Sequence, residues 1–167
     1  PVLSPSILQT TDDTFTFSGS IFPRTRVQVV SADGVVDMVA DGNGAFSLSL
    51  PLQGNRVHQF YVAGIGADGL PTPLQPRRVL RDTEGPILET TFPPAIWVTS
   101  DSNVVVTGRV RDRLSGHQGL AVTVNGVAAS VILGDGASGS FVSAPVNLMS
   151  GNNTIDVQAT DALGNRS

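Results

Sequence analysis

The 167-residue chain holds 18 glycines and 11 prolines, with 40% hydrophobic residues, only 14% charged residues and a formal net charge of −4. That balance argues against broad affinity for nucleic acid or an anionic membrane surface, and no apolar run reaches the roughly 18 residues needed to span a bilayer. All ten basic residues are arginine and cysteine is absent, which excludes a lysine-dependent phosphate loop, Schiff-base chemistry, thiol catalysis, a disulfide framework and thiolate zinc sites.

In chain order, the residues fall into short segments of period two, divided by Gly, Asn, Asp and Pro. The chain opens at Pro1 without a methionine, so we read it as a piece of a longer protein. "TFTFSGSI" (14–21) predicts a first clear strand, "VQV" (27–29) a second, and "GAFSLSLPLQGN" (44–55) a third, in which Phe46, Leu48 and Leu50 face one way. "DGNGAF" (41–46) begins like a calcium loop, but Ala45 and Leu52 stand where ligands belong, so a hairpin turn is expected. "YVAGIGADG" (61–69) contains a complete G-x-G-x-x-G. A dinucleotide site needs a helix opening at the third glycine, and "LPTPLQP" follows instead, so the glycines are assigned to a tight turn.

The second half repeats the first. "NVVVTGRV" (103–110) matches "TFTFSGSI", "VTV" (122–124) matches "VQV", and "GSFVSAPVNLMSGN" (139–152) matches "GAFSLSLPLQGN". Equivalent residues stand 89 apart at Gly19/Gly108, 95 apart at Phe46/Phe141 and 96 apart at Ala63/Ala159, with the growth inside "RVRDRLSGHQGL". After Phe141 the apolar set moves to Val142, Ala144 and Val146, which predicts a bulge that absorbs the change of parity. No segment sustains a helical period. The expectation is an all-β chain of two tandem antiparallel immunoglobulin-like β-sandwich domains, 1–83 and 84–167, joined at "RDTEGP" (81–86), the second lacking its last strand.

These residues resemble the bacterial immunoglobulin-like repeats (Big-type) that occur in tandem in large secreted and surface proteins. The resemblance rests on a strand followed by G-x-V, on G-x-F in the middle, on L-x(1,2)-G-N before a strand, and on A-x-D-x-x-G-N, seen as "ATDALGN" (159–165). It implies a non-catalytic spacer or interaction module, extracellular or at the cell surface, whose partners are the neighbouring domains of the parent chain. The rival reading is a glycan- or matrix-binding adhesion module, accessory to a carbohydrate-active enzyme.

Candidate site residues are few. Arg109, Arg111 and Arg113 alternate and lead into a long loop containing His117, an arrangement suited to the carboxylates or sulfates of an acidic glycan or to a matrix protein. Pro86 and Trp97 flank the joint and are assigned to packing between the domains. Asp82, Glu84, Asp101 and Asp112 are the carboxylates from which a calcium site at the joint would be built. His58, in an apparent strand, has no second ligand at metal spacing and is read as structural.

Overall fold

The computed structural model describes residues 2–4, 9–116, 118–134 and 138–167. The chain divides into two compact units, Pro1–Asp82 and Thr83–Ser167. Every regular element among the described residues is a strand.

In the first unit, β1 (Val2–Ser4), β3 (Thr14–Ser20) and β6 (Ala45–Pro51) form one sheet in the order β1-β3-β6. A second sheet has the order β2-β8-β7-β4-β5, from β2 (Gln9–Thr10), β8 (Gln75–Arg81), β7 (Arg56–Ile65), β4 (Arg26–Ser31) and β5 (Gly34–Val39). Pairing is antiparallel except between β2 and β8. Alternation decides what is buried: Phe15 and Phe17 on β3, Val27 and Val29 on β4, Phe46 and Leu50 on β6, and Phe60 and Val62 on β7 make one core. Phe17 meets Phe15 and Phe60 edge-on, at 4.8 and 4.9 Å between ring centres. Such pairs add about 0.5–1.5 kcal/mol beyond their area.

In the second unit, β9 (Ile87–Phe92), β11 (Thr107–Arg111), β14 (Ser130–Leu133) and β15 (Ser138–Val142) form a sheet ordered β14-β15-β11-β9. β12 (Ala121–Val124), β13 (Val127–Ala128) and β17 (Val157–Thr160) form another, and β10 (Asn103–Val104) pairs with β16 (Val146–Asn147). The β12–β13 turn is Asn125-Gly126 with φ of 50° and 77°, the left-handed pair that a two-residue hairpin demands. Val104, Val106, Val110, Val122, Val124 and Phe141 lead the core.

The repeat is visible in the ladders. Gly19 faces Phe46 across β3 and β6, and Gly108 faces Phe141 across β11 and β15. A Cβ on Gly108 would collide with the Glu89 carbonyl and the Phe141 ring, so glycine is what lets that ring lie flat against its neighbour strand. Phe46 and Phe141 are both buried, at 5% and 0% exposure.

Three local expectations are corrected. Val27 pairs with Gly64 and Val122 with Ala159, so the equivalent of Ala159 is Gly64 and the spacing stays at 95. The expected shift to Val142 and Ala144 does not occur, because both are exposed and Ser143 takes the buried position. Its hydroxyl accepts the Val106 N–H at 2.8 Å and donates to the Ala144 carbonyl at 2.6 Å, which makes a polar side chain tolerable there. Finally, "DGNGAF" is a tight turn but not a hairpin: β5 pairs with β4 and β6 with β3, so it carries the chain from one sheet to the other. Asp41 Oδ1 organises it by accepting the N–H groups of Asn43 and Ala45.

Candidate metal centre

Asp82, Asp112 and Asp161 are buried, at 0%, 3% and 5% exposure, and each places a carboxylate oxygen within 4.8 Å of the other two. Asp82 follows β8 and donates its N–H to the Thr10 carbonyl at 3.0 Å. It is the last residue of the first unit, bonded to Thr83 with which the second begins. Asp112 follows β11, whose final ladder pair, Arg111 with Ile87, sets it beside the start of β9. Asp161 follows β17, which ends opposite Ala121. The loops after β11 and β17 touch, since a Cβ on Gly119 would lie 2.7 Å from that of Ala162.

Each loop is wound around its aspartate. Asp112 Oδ1 accepts the N–H groups of Leu114 and Ser115 at 2.7 and 2.8 Å. Its Oδ2 is buried and has no hydrogen-bond partner. Asp161 Oδ1 accepts the N–H groups of Leu163 and Asn165 at 2.8 and 2.9 Å, and Oδ2 accepts Asn165 Nδ2 at 2.8 Å. These bonds fix both carboxyl groups in direction before any ligand arrives.

Three carboxylates in so small a volume repel one another, and burial strips each of water at a cost of several kcal/mol. A hard divalent cation relieves both effects. Two oxygens bound to one calcium at about 2.3–2.6 Å stand at most about 5 Å apart, and the 4.8 Å spread of the three donors meets that limit. An all-oxygen donor set favours calcium or magnesium over transition metals.

Of the four acids expected from the sequence, Asp82 and Asp112 therefore converge. Glu84 and Asp101 are exposed and stand outside the group; the Asp101 carboxylate accepts the Thr99 hydroxyl instead. The third member, Asp161, is the acid of "ATDALGN" and does not stand among the acids expected from the sequence. Pro86 is fully buried, and Gly85 lies so close to the Arg166 carbonyl that a Cβ would overlap it. Trp97 packs on the core of the second unit and edge-on to Phe92 at 5.1 Å.

Arg109 and Arg111 project from the exposed face of β11, while Gly108 and Val110 point inward. Arg109 lies opposite Glu89 in the ladder. Arg113 is exposed in the loop after Asp112, and His117 lies outside the described residues.

No known family profile matches the chain, and no curated protein matches it. Among solved structures, it is similar to the fibronectin(III)-like modules of Clostridium thermocellum CbhA, at 16% identity and a TM-score of 0.39, covering 100% of this chain and 86% of that one. It is also similar to a 1.5-MDa bacterial ice-binding adhesin described for its retention at the host cell surface, at 18% identity and 0.39, covering 96% of this chain and 57% of that one. A third is the BSP domain of a biofilm-associated protein, at 17% identity and 0.33, covering 95% and 26%. None supplies a ligand or a residue role to this chain.

Proposed function

We propose that the chain is a pair of immunoglobulin-like modules serving as a non-catalytic, calcium-braced spacer of an extracellular or surface protein. The supporting observation is the group formed by Asp82, Asp112 and Asp161, with the buried Asp112 Oδ2 lacking a partner. Calcium outside cells is abundant enough to fill sites with dissociation constants of about 10⁻⁴–10⁻³ M, the range of extracellular modules.

The test is calorimetric melting of the whole chain in calcium, in magnesium and in a chelator. A calcium-dependent rise in melting temperature, lost in Asp161→Asn and in Asp112→Asn, is the expected result. Equal melting in calcium and chelator would sink the reading.

A second reading is favoured by the exposed Arg109, Arg111 and Arg113: an adhesion surface for acidic glycan or matrix protein. On a glycan array, binding that weakens with salt and disappears when the three become serine supports it.

A further inference from the structure

Among the described residues, β6 stands at the end of its sheet, paired with β3 on one side and with no strand on the other. The second module closes the same edge. There β15, which carries Phe141 in the place of Phe46, pairs with β11 on one side and with β14 on the other, and Val131 of β14 packs on the core. At a spacing of 95, β14 corresponds to Val35–Met38 of β5, which in the first module stays with β4. The strand that would cover β6 is thus engaged in the opposite sheet.

The backbone groups of that edge can be assigned. Ile21 donates its N–H to the Gly44 carbonyl, and Leu52 donates to that of Asp13. Bonding direction alternates along a strand, so even-numbered residues from Gly44 to Leu52 bond toward β3 and odd-numbered ones point to the free edge. Ala45 is already engaged, since its N–H bonds Asp41 Oδ1 and its carbonyl accepts the Asp41 N–H. Pro51 has no N–H to give. Ser47 and Ser49, both exposed, therefore present an N–H and a carbonyl each to whatever strand comes alongside.

The side chains of β6 have the same polarity read in either direction from Leu48. Phe46 and Leu50 are buried on one face with Leu48 half-buried between them, and Ser47 and Ser49 lie on the other. A second β6 laid antiparallel about a two-fold axis at Leu48 sets Ser47 of each copy opposite Ser49 of the other. Both serine pairs then exchange their two backbone bonds, and Leu48 meets Leu48 in the non-hydrogen-bonded position where side chains approach most closely. Phe46 faces Leu50 across the join. Beyond them Ala45 meets Pro51, neither with a free N–H, and the ladder stops there. No charged residue stands between Gly44 and Asn55, so two chains of net charge −4 meet here without like charges opposed. Exposed edges are ordinarily guarded by charge or by a bulge, and β6 has neither. A foreign strand needs no such symmetry; the mirror pattern about Leu48 is what selects a second copy.

We propose that the free edge of β6 is a self-association site, at which two copies of this chain join their sheets in the order β1-β3-β6-β6-β3-β1 through Ser47 and Ser49. The contact is one strand wide, below the roughly 1,200 Å² of stable complexes, and the expected dissociation constant is about 0.1–1 mM. It lies in the first module and rests on neither the carboxylate group nor the β11 arginines.

The test is sedimentation velocity of the whole chain from about 10 µM to about 1 mM, with amide hydrogen exchange followed at both ends of that range. A concentration-dependent dimer is expected, in which exchange of the Ser47 and Ser49 amides slows about two- to fivefold in the concentrated sample. The Phe46 and Leu48 amides, turned toward β3, should be slow already in the dilute one. Ser47→Lys with Ser49→Lys sets lysine opposite lysine in both pairs and should weaken the dimer about tenfold. Ser47→Glu with Ser49→Lys sets opposite charges together and should dimerise at least as well as the parent. Both variants charge the same exposed positions, so their difference reports the register of the join rather than the folding of the module. The proposal is overturned if the chain stays monomeric at about 1 mM, if a dimer forms that protects the amides of β5 and not those of Ser47 and Ser49, or if the two variants dimerise equally.

Discussion

The turns Gly66–Leu70 and Asp161–Asn165 occupy the same place in the two modules, after the strand that pairs with β4 or with β12. Their backbones are bonded alike. Gly66 N–H meets the Leu70 carbonyl and Gly69 N–H that of Gly66; Asp161 N–H meets the Asn165 carbonyl and Gly164 N–H that of Asp161. Ile65 bridges Pro71 as Thr160 bridges Arg166. The first residue differs, glycine in one and a buried aspartate in the other. At the second position of the triad, the spacing from Gly19/Gly108 sets Pro23 against Asp112. One scaffold thus carries two of the clustered carboxylates, Asp112 and Asp161, in the second module and none at the matching positions in the first. The lesson is that the two turns share their backbone bonds, while in the second module the Asp161 carboxylate adds bonds to Leu163 and Asn165 that glycine at the head of the first turn does not make.

Phe46→Ala and Phe141→Ala test the equivalence most severely. Each should cost its own module about 3–5 kcal/mol, the range for a buried aromatic cut to alanine. The chain holds one tryptophan and one tyrosine, Trp97 in the second unit and Tyr61 in the first, so their signals separate the modules. Loss of both signals together in either variant breaks the picture of two cores.

Calcium should divide the modules next. At about one hundred times the dissociation constant, a bound ion adds about 2.7 kcal/mol. That gain is expected in the Trp97 transition, with the Tyr61 ring resonances unmoved. Smaller again is Ser143→Ala, about 1–3 kcal/mol for stranding the buried Val106 N–H; it should register in the Trp97 melt alone, since Leu48 holds the matching place in the first module.

Acid should separate them in the other direction. Burial holds the folded His58 pKa below the value of 6.5 it takes when unfolded. The unfolded chain then binds the proton more readily, so this contribution to the first module is complete above pH 6.5 and shrinks as the pH falls through and below it. His58→Phe should flatten that decline in Tyr61-reported stability. Least affected should be a chain with Arg109, Arg111 and Arg113 changed to serine, within about 0.5 kcal/mol of the parent.

Much of the fold was legible because alternation and glycine carry it. Phe15/Phe17 and Val104/Val106 announced inward faces, and Gly19 and Gly108 marked where a phenylalanine crosses. What the residues did not announce was polar burial: Ser143 breaks the apolar pattern because its hydroxyl serves the backbone. The carboxylate group was half legible. Asp82 and Asp112 could be picked as acids near the joint, but Asp161 lies 49 positions beyond Asp112 and is brought to it only by two ladders in different sheets. His58 looked structural because a lone histidine in a strand usually is, and it lies buried in β7. The bare edge of β6 was not legible, because composition does not say which sheet β5 or β14 joins.

The shared backbone of the two turns has a genetic corollary. Glycine and aspartate codons differ at a single base, so a repeat can gain or lose the acid at the head of this turn by one point mutation. At Gly66 the incoming side chain would displace only the Asp68 carboxylate, whose nearest oxygen lies 2.6 Å from the new Cβ. On the calcium-binding reading proposed above, copies of the module could therefore gain or lose the acid at this position while keeping the bonds of the turn backbone.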